Sequence, residues 1–194
     1  MAPTFHIFRH VEGAHEVSGE DMQDPDLSDP GRQRCGELRN MLPWMDKVTH
    51  LVSSPMQRAL SSCLLTFEPV ISRGKRTVAL LELTDAGTRE ASFGSSKSER
   101  LEYRATVVRV LLQGHAAALL SDAHVVVMTH GLLAHFLAEE FEAPKFGAVA
   151  TGGPPEHRSF QFAPEPKDDV RLVERDLGEL PTEEPPYNLD PDRR

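Results

Sequence analysis

The run His124-Val125-Val126-Val127-Met128-Thr129 is continuous in β-branched and apolar side chains, without the polar alternation of a half-exposed strand. Such a run fits a strand covered on both faces, and strands of that kind belong to parallel sheets sandwiched by helices. The flanking sequence agrees. Leu132 to Phe141 follows at helical spacing, and Glu99 to Leu120 precedes it with Leu101, Ala105, Val108, Leu112 and Leu119 on one stripe. Further upstream, Thr4 to Arg9 (TFHIFR), Val48 to Ser53 (VTHLVS) and Thr77 to Leu83 read as three more strands. Asp29-Pro30 opens a helix, with Asp29 as N-cap and proline at the first helical position, and Pro43 helps to stop it. Ser54-Pro55 repeats that signal before Ala59, Leu60, Cys63, Leu64 and Phe67. Glu12 to Leu27 reads as a polar loop and Asp85 to Ser98 as another. Phe160 and Phe162, then Val170 to Val173, read as a closing pair of strands. The alternation predicts an α/β fold: a mostly parallel central sheet flanked by helices on both faces.

The chain has 194 residues, enough for one domain with a sizeable core. We expect that domain over residues 1–176. A tail over 177–194, with Pro181, Pro185, Pro186 and Pro191 among acidic residues, should be loose. Lys and Arg number 21 against 30 Asp and Glu, a formal charge of −9. A field of that sign repels polyanions, so nucleic acid and anionic membrane surfaces are poor partners. No apolar run approaches the roughly 18 residues of a spanning helix, and the first residues carry no secretory signature. Cys35 and Cys63 both fall in helical patterns, which suits a reducing compartment, and a cytoplasmic location is expected.

Open α/β sheets bind ligands outside the carboxyl ends of their strands. Those ends here are Arg9, His10 and Glu12; Ser53, Ser54 and, one turn on, Arg58; Glu82, Thr84 and Asp85; and His130 with Gly131. Two arginines and two histidines thus converge on one rim. Guanidiniums offer planar forks of donors for a tetrahedral oxyanion. A neutral imidazole can attack phosphorus and carry the phosphoryl group, a second can donate to its oxygens, and a carboxyl can protonate the leaving oxygen.

These segments resemble the histidine phosphatase superfamily, also called phosphoglycerate mutase-like. Phe8-Arg9-His10-Val11-Glu12 is similar to its Arg-His-Gly-Glu signature. Asp26-Leu27-Ser28-Asp29-Pro30-Gly31 resembles its helix start, Ser53-Ser54-Pro55-Met56-Gln57-Arg58-Ala59 the segment of its second arginine, and Val127-Met128-Thr129-His130-Gly131 that of its second histidine. Glu156-His157-Arg158-Ser159-Phe160 looks most like a fungal branch. The resemblance implies His10 as phosphorylated nucleophile, and Arg9, Arg58 and His130 as the phosphate pocket. It implies Glu82 as proton donor, with Asp85 competing for that role. Glu12, His15, Asp85 and Gly131 are expected around the substrate. No cofactor or metal is implied. There are three departures. Val11 stands where glycine is usual and is expected to crowd the phosphate. The stretch between Glu82 and the long helix is short, a reduced lid. His15-Glu16 stands where His-Asn is frequent.

Other residues have plainer readings. His6 and His124 are expected as core or edge histidines, His115 as an ordinary helix residue, and Glu139, Glu140 and Glu142 as a solvated face. Ser54 lacks a Gly-x-Ser-x-Gly elbow and reads as a helix cap. His130 and His135 are five apart, the wrong spacing for a zinc pair. The expected activity is metal-independent phosphomonoester hydrolysis through phosphohistidine, on a small phosphorylated metabolite. Two alternatives are acid–base isomerisation, dehydration or hydrolysis of another small organic anion, and phosphate binding without catalysis. A mutase would need a second phosphate site, for which Arg89, Lys97 and Arg100 are available. Oligomeric state is not legible.

Overall fold

The computed structural model describes residues 2–19, 22–84, 97–120, 122–138, 157–162 and 172–174. Six strands form one sheet in the order β3-β2-β4-β1-β5-β6. They are β1 (Thr4–Arg9), β2 (Val48–Ser53), β3 (Thr77–Ala79), β4 (His124–Thr129), β5 (His157–Phe162) and β6 (Leu172–Glu174). The first four in spatial order, β3, β2, β4 and β1, run parallel; β5 pairs antiparallel with β1, and β6 antiparallel with β5. The expected α/β class is therefore the observed one.

The register explains both the core and the rim. Phe5 and Ile7 of β1 point to one face, where α5 (Lys97–Ala116) and α6 (Gly131–Leu137) supply Leu101, Ala105, Val108, Leu133 and Leu137. Phe8 points to the other face, against Ala59 and Cys63 of α3 (Gln57–Thr66), Phe67 between the helices and Val70 of α4 (Glu68–Ser72). The three consecutive valines of β4 are each 0% exposed, as the unbroken run requires. Pairing of Arg9 with Thr129, and of Ser53 with Met128, brings the carboxyl ends of β1, β4 and β2 level.

Local chemistry moves several expected boundaries. The helix α2 (Asp29–Met41) is capped by Ser28, not Asp29: Ser28 Oγ accepts from Gly31 N at 3.0 Å, and Asp29 becomes the first helical residue. Helix α3 starts at Gln57 with Met56 before it, so Ser54 does not cap it. The supposed loop after Glu12 contains a short helix, α1 (Ala14–Ser18), closed by Gly19 in the left-handed region at φ 68°. β3 ends at Ala79, and Leu81–Leu83 forms a 3-10 turn. α5 starts earlier than expected, at Lys97, and ends at Ala116, because the bonds that follow, from Ala118 N to His115 O and Leu119 N to Ala116 O, tighten to i→i+3 spacing. Asp85, the reduced lid, Glu139, Glu140, Glu142 and the tail lie outside the described residues. No helix among the described residues is long and apolar enough to cross a membrane.

His6 and His124 take the structural roles expected of them. His6 stacks on Trp44 at 3.5 Å between ring centres, and its nitrogens meet Ser159 Oγ and His124 Nδ1, each at 2.9 Å. Burial, then His124 and His157 nearby, holds its pKa down at about 2.

The start of α2 is docked onto residue 12. Ser28 N donates to Glu12 O at 3.2 Å, and Ser28 Oγ donates to the Glu12 carboxylate at 2.5 Å. A Cβ at position 31 would lie 2.3 Å from Glu12 O, so only glycine fits without moving backbone. Gly31→Ala should therefore destabilise the fold by about 1–3 kcal/mol, the usual scale of overpacking. Urea denaturation checks this, and an unchanged midpoint would contradict the close approach.

Candidate active site

The site is built at the carboxyl ends of the parallel strands. His10 follows β1 directly, its backbone N–H bonded to Thr129 O at 2.9 Å. Its imidazole is 4% exposed. Nδ1 lies 2.7 Å from Val11 O. A carbonyl only accepts, so Nδ1 carries the proton and Nε2 carries a lone pair. Arg58 Nε–H donates to that lone pair at 3.1 Å. Arg58 is the second residue of α3, and the cap-free entry through Pro55 and Met56 aims it back at the sheet.

His130 precedes α6 and is 1% exposed. Its ring lies 5.1 Å from that of His10, inclined by 65°. Its Nε2 is 2.9 Å from Ser54 Oγ. Ser54 is thus a site residue that sequence reading placed in a helix cap. The same strand-end rule that selected Arg58 also pointed to it.

Both imidazoles are held neutral. Burial lowers the His10 pKa most, followed by His130; the bond to Val11 opposes, and Arg58 and Arg9 lower it further, to about 3. Burial, then Arg58 and Arg9, also takes His130 to about 3. Neutral imidazoles packed among two guanidiniums form a pocket that favours an anion, with a nucleophilic nitrogen inside it.

The remaining expected residues divide. Arg9 reaches the Glu16 carboxylate, Nη2 to Oε1, at 2.6 Å. Half-buried His15 lies against Gly13, where an added Cβ would also approach Arg58 Cδ at 3.5 Å, and its Nδ1 has no hydrogen-bond partner among the described residues. Gly131 opens α6 beside His130. Glu82 sits on the 3-10 turn anchored by Thr129 Oγ1–H to Leu83 O at 2.8 Å, which holds it beside the end of β4. Arg104 braces the same turn through Thr84 O at 2.8 Å. Glu12 turns away to Ser28, where it supports α2 instead of facing the arginines. Val11 does not crowd the pocket: its side chain joins Leu27, Cys35 and Leu38 under α2, while its N–H donates to Ser62 Oγ at 3.1 Å. Ser62 in turn donates to Arg58 O at 2.7 Å, a link that sequence spacing does not show. Among the described residues, no group of three or more His, Cys, Asp or Glu is placed to hold a metal ion.

Comparison with solved structures identifies this fold as that of the phosphoglycerate mutase-like proteins. The mycobacterial glucosyl-3-phosphoglycerate phosphatase, solved both native and with VO3, superposes with a TM-score of 0.62 at 19% identity over 89% of this chain and 96% of its own. A phosphoglycerate mutase from Bacillus anthracis gives 0.61 at 16% identity, over 90% and 92%. The protein histidine phosphatase SixA, solved with tungstate, gives 0.55 at 19% identity, over 89% and 94%. By sequence, the chain matches no protein-family model and no curated protein.

The buried imidazoles fix the sign of a pH dependence. His6, His10, His130 and His157 have native pKa values of about 2, 3, 3 and 4, below the ordinary 6.5. The unfolded chain then binds more protons than the native state below pH 6.5. Stability must fall as pH drops from about 6.5 toward 4, with a slope approaching about 1.4 kcal/mol per pH unit for each such histidine. Denaturant midpoints across that range test this, and a flat profile would contradict neutral burial.

Proposed function

We propose that this protein is a metal-independent phosphomonoesterase that acts through a phosphohistidine intermediate on a small phosphorylated metabolite. The observation that carries the reading is the neutral His10, with its Nε2 lone pair turned toward Arg58 beside His130. The likeness in fold to phosphatases solved with vanadate or tungstate supports it.

In this reading a phosphate monoester takes the place at His10 Nε2 that Arg58 Nε now addresses, and the guanidinium moves onto the phosphoryl oxygens. Arg9 and His130 donate to the same oxygens, and the two arginines supply the positive charge that a metal would otherwise bring. His10 Nε2 attacks phosphorus in line. The P–O ester bond breaks and its electron pair passes to the leaving oxygen, which takes a proton from the Glu82 carboxylic acid. Water then attacks the phosphohistidine, Glu82 accepts its proton, and the P–N electron pair returns to Nε2. Glu82 suits this role because its carboxylate engages no hydrogen-bond or ion-pair partner among the described residues. Asp85, three residues further along the sequence, is the competing donor. Ser54 holds the His130 ring through Nε2. His15 Nδ1 is available to the substrate beside Arg58.

A one-domain cytoplasmic enzyme completes this reading, and the net charge of −9 argues against nucleic-acid and anionic-membrane partners. The fungal-type branch rests on Glu156 to Phe160 alone. The acid–base reading loses one of its two motives, since Val11 lies under α2 and not in the pocket.

Hydrolysis of an aryl phosphate in the presence of a chelator tests the proposal. Wild-type protein should turn over, and His10→Ala should lose at least about a thousandfold in kcat, as when a nucleophile is removed. Equal turnover of both proteins would overturn the proposal. Phosphate binding without turnover in the wild type would assign the site to a binding module instead.

A further inference from the structure

Glu16 has no part in the mechanism above, yet it holds one of its two arginines. The residue sits in α1. Its Oε2 accepts from Gly13 N at 2.7 Å, and its Oε1 accepts from Arg9 Nη2 at 2.6 Å. One carboxylate thus spans the helix start and the pocket wall. The Arg9 side chain is 12% exposed and that of Glu16 30%, so the contact is partly shielded from water while the carboxylate keeps a path to solvent.

A carboxylate presents to a guanidinium the same kind of negatively charged oxygen that a phosphoryl group would. We infer that Glu16 is an internal anion seated on Arg9, a specificity-determining gate that an incoming phosphoryl group must displace. The inference rests on the phosphate-pocket reading of Arg9, His10, Arg58 and His130.

The electrostatic consequence follows from the charges. Arg9 would attract a phosphate dianion through its positive charge, and Glu16 offsets that charge. Free phosphate, which has no other handle, therefore binds weakly. A phosphate ester whose organic half makes its own contacts can still displace the carboxylate. The gate thus selects esters over inorganic phosphate and hastens product release, because the carboxylate returns to Arg9 as phosphate leaves. A residue that merely oriented Arg9 would have the opposite effect, since its removal would weaken anion binding.

Calorimetric titration of the full chain with orthovanadate, and separately with inorganic phosphate, distinguishes these cases. Glu16→Gln keeps an oxygen for Gly13 N–H and removes only the charge. Glu16→Ala removes both contacts, and thermal melting reports whether each variant folds. Both variants should bind either anion more tightly than wild type, by about five- to twentyfold, the scale of a partly shielded ion pair plus relief of like-charge repulsion. Unchanged or weaker binding by Glu16→Gln, with binding that vanishes in Arg58→Ala, would overturn the gate and leave the pocket standing. Absence of binding in wild type and Glu16→Gln alike would overturn the pocket, and the gate with it.

Discussion

The hydrogen bond from His10 Nδ1–H to Val11 O, 2.7 Å long, governs everything else at the rim. A backbone carbonyl can only accept, so the bond selects one imidazole tautomer and leaves the lone pair on Nε2. That nitrogen then accepts from Arg58, which fixes the guanidinium, and burial beside two arginines keeps the ring uncharged. Were the proton on Nε2, Arg58 would face a donor and the lone pair there would be lost. The geometry of residues 10 and 11 is itself held from two sides. Val11 N–H reaches Ser62, and Ser62 reaches back to Arg58 O, so the segment after His10 and Arg58 share one brace.

The fold supplies this arrangement at little local cost. Parallel strands end level, and each end carries polar residues into a common crevice while the strand bodies remain apolar. Residues 10, 54, 58 and 130 meet because β1, β2 and β4 are neighbours, and α3 and α6 leave the rim there. Uncharged imidazoles add no further positive charge to a site that already holds two guanidiniums. Glu16 places a carboxylate against one of those two, Arg9.

Much of this was legible in the sequence, for reasons that differ by residue. The valine run of β4 and the short apolar runs of β1 and β2 declared themselves, because burial on two faces excludes polar side chains. His10, Arg58 and His130 were legible because strand ends are where such sheets place chemistry. Ser54 was misread because a serine before proline is a good local cap signal, whereas its actual partner, His130, is 76 residues away. Asp29 lost the cap to Ser28 for a tertiary reason: Ser28 is tied to Glu12, which the spacing of residues 28–31 does not reveal. Val11 looked obstructive in isolation, but its direction depends on α2 lying beneath it. The grip of Glu16 on Arg9 follows from a short helix hidden in a polar stretch that carries no helical periodicity.

In the proposed mechanism, His10 Nε2 becomes bonded to phosphorus. Rapid acid-free quenching of enzyme during turnover of a phosphate ester, followed by peptide mass spectrometry, measures this most directly. The peptide containing His10 should carry an acid-labile, alkali-stable phosphoryl group attached through Nε2. Steady turnover with no phosphorylated protein, or with the phosphoryl group on any other residue, would contradict it.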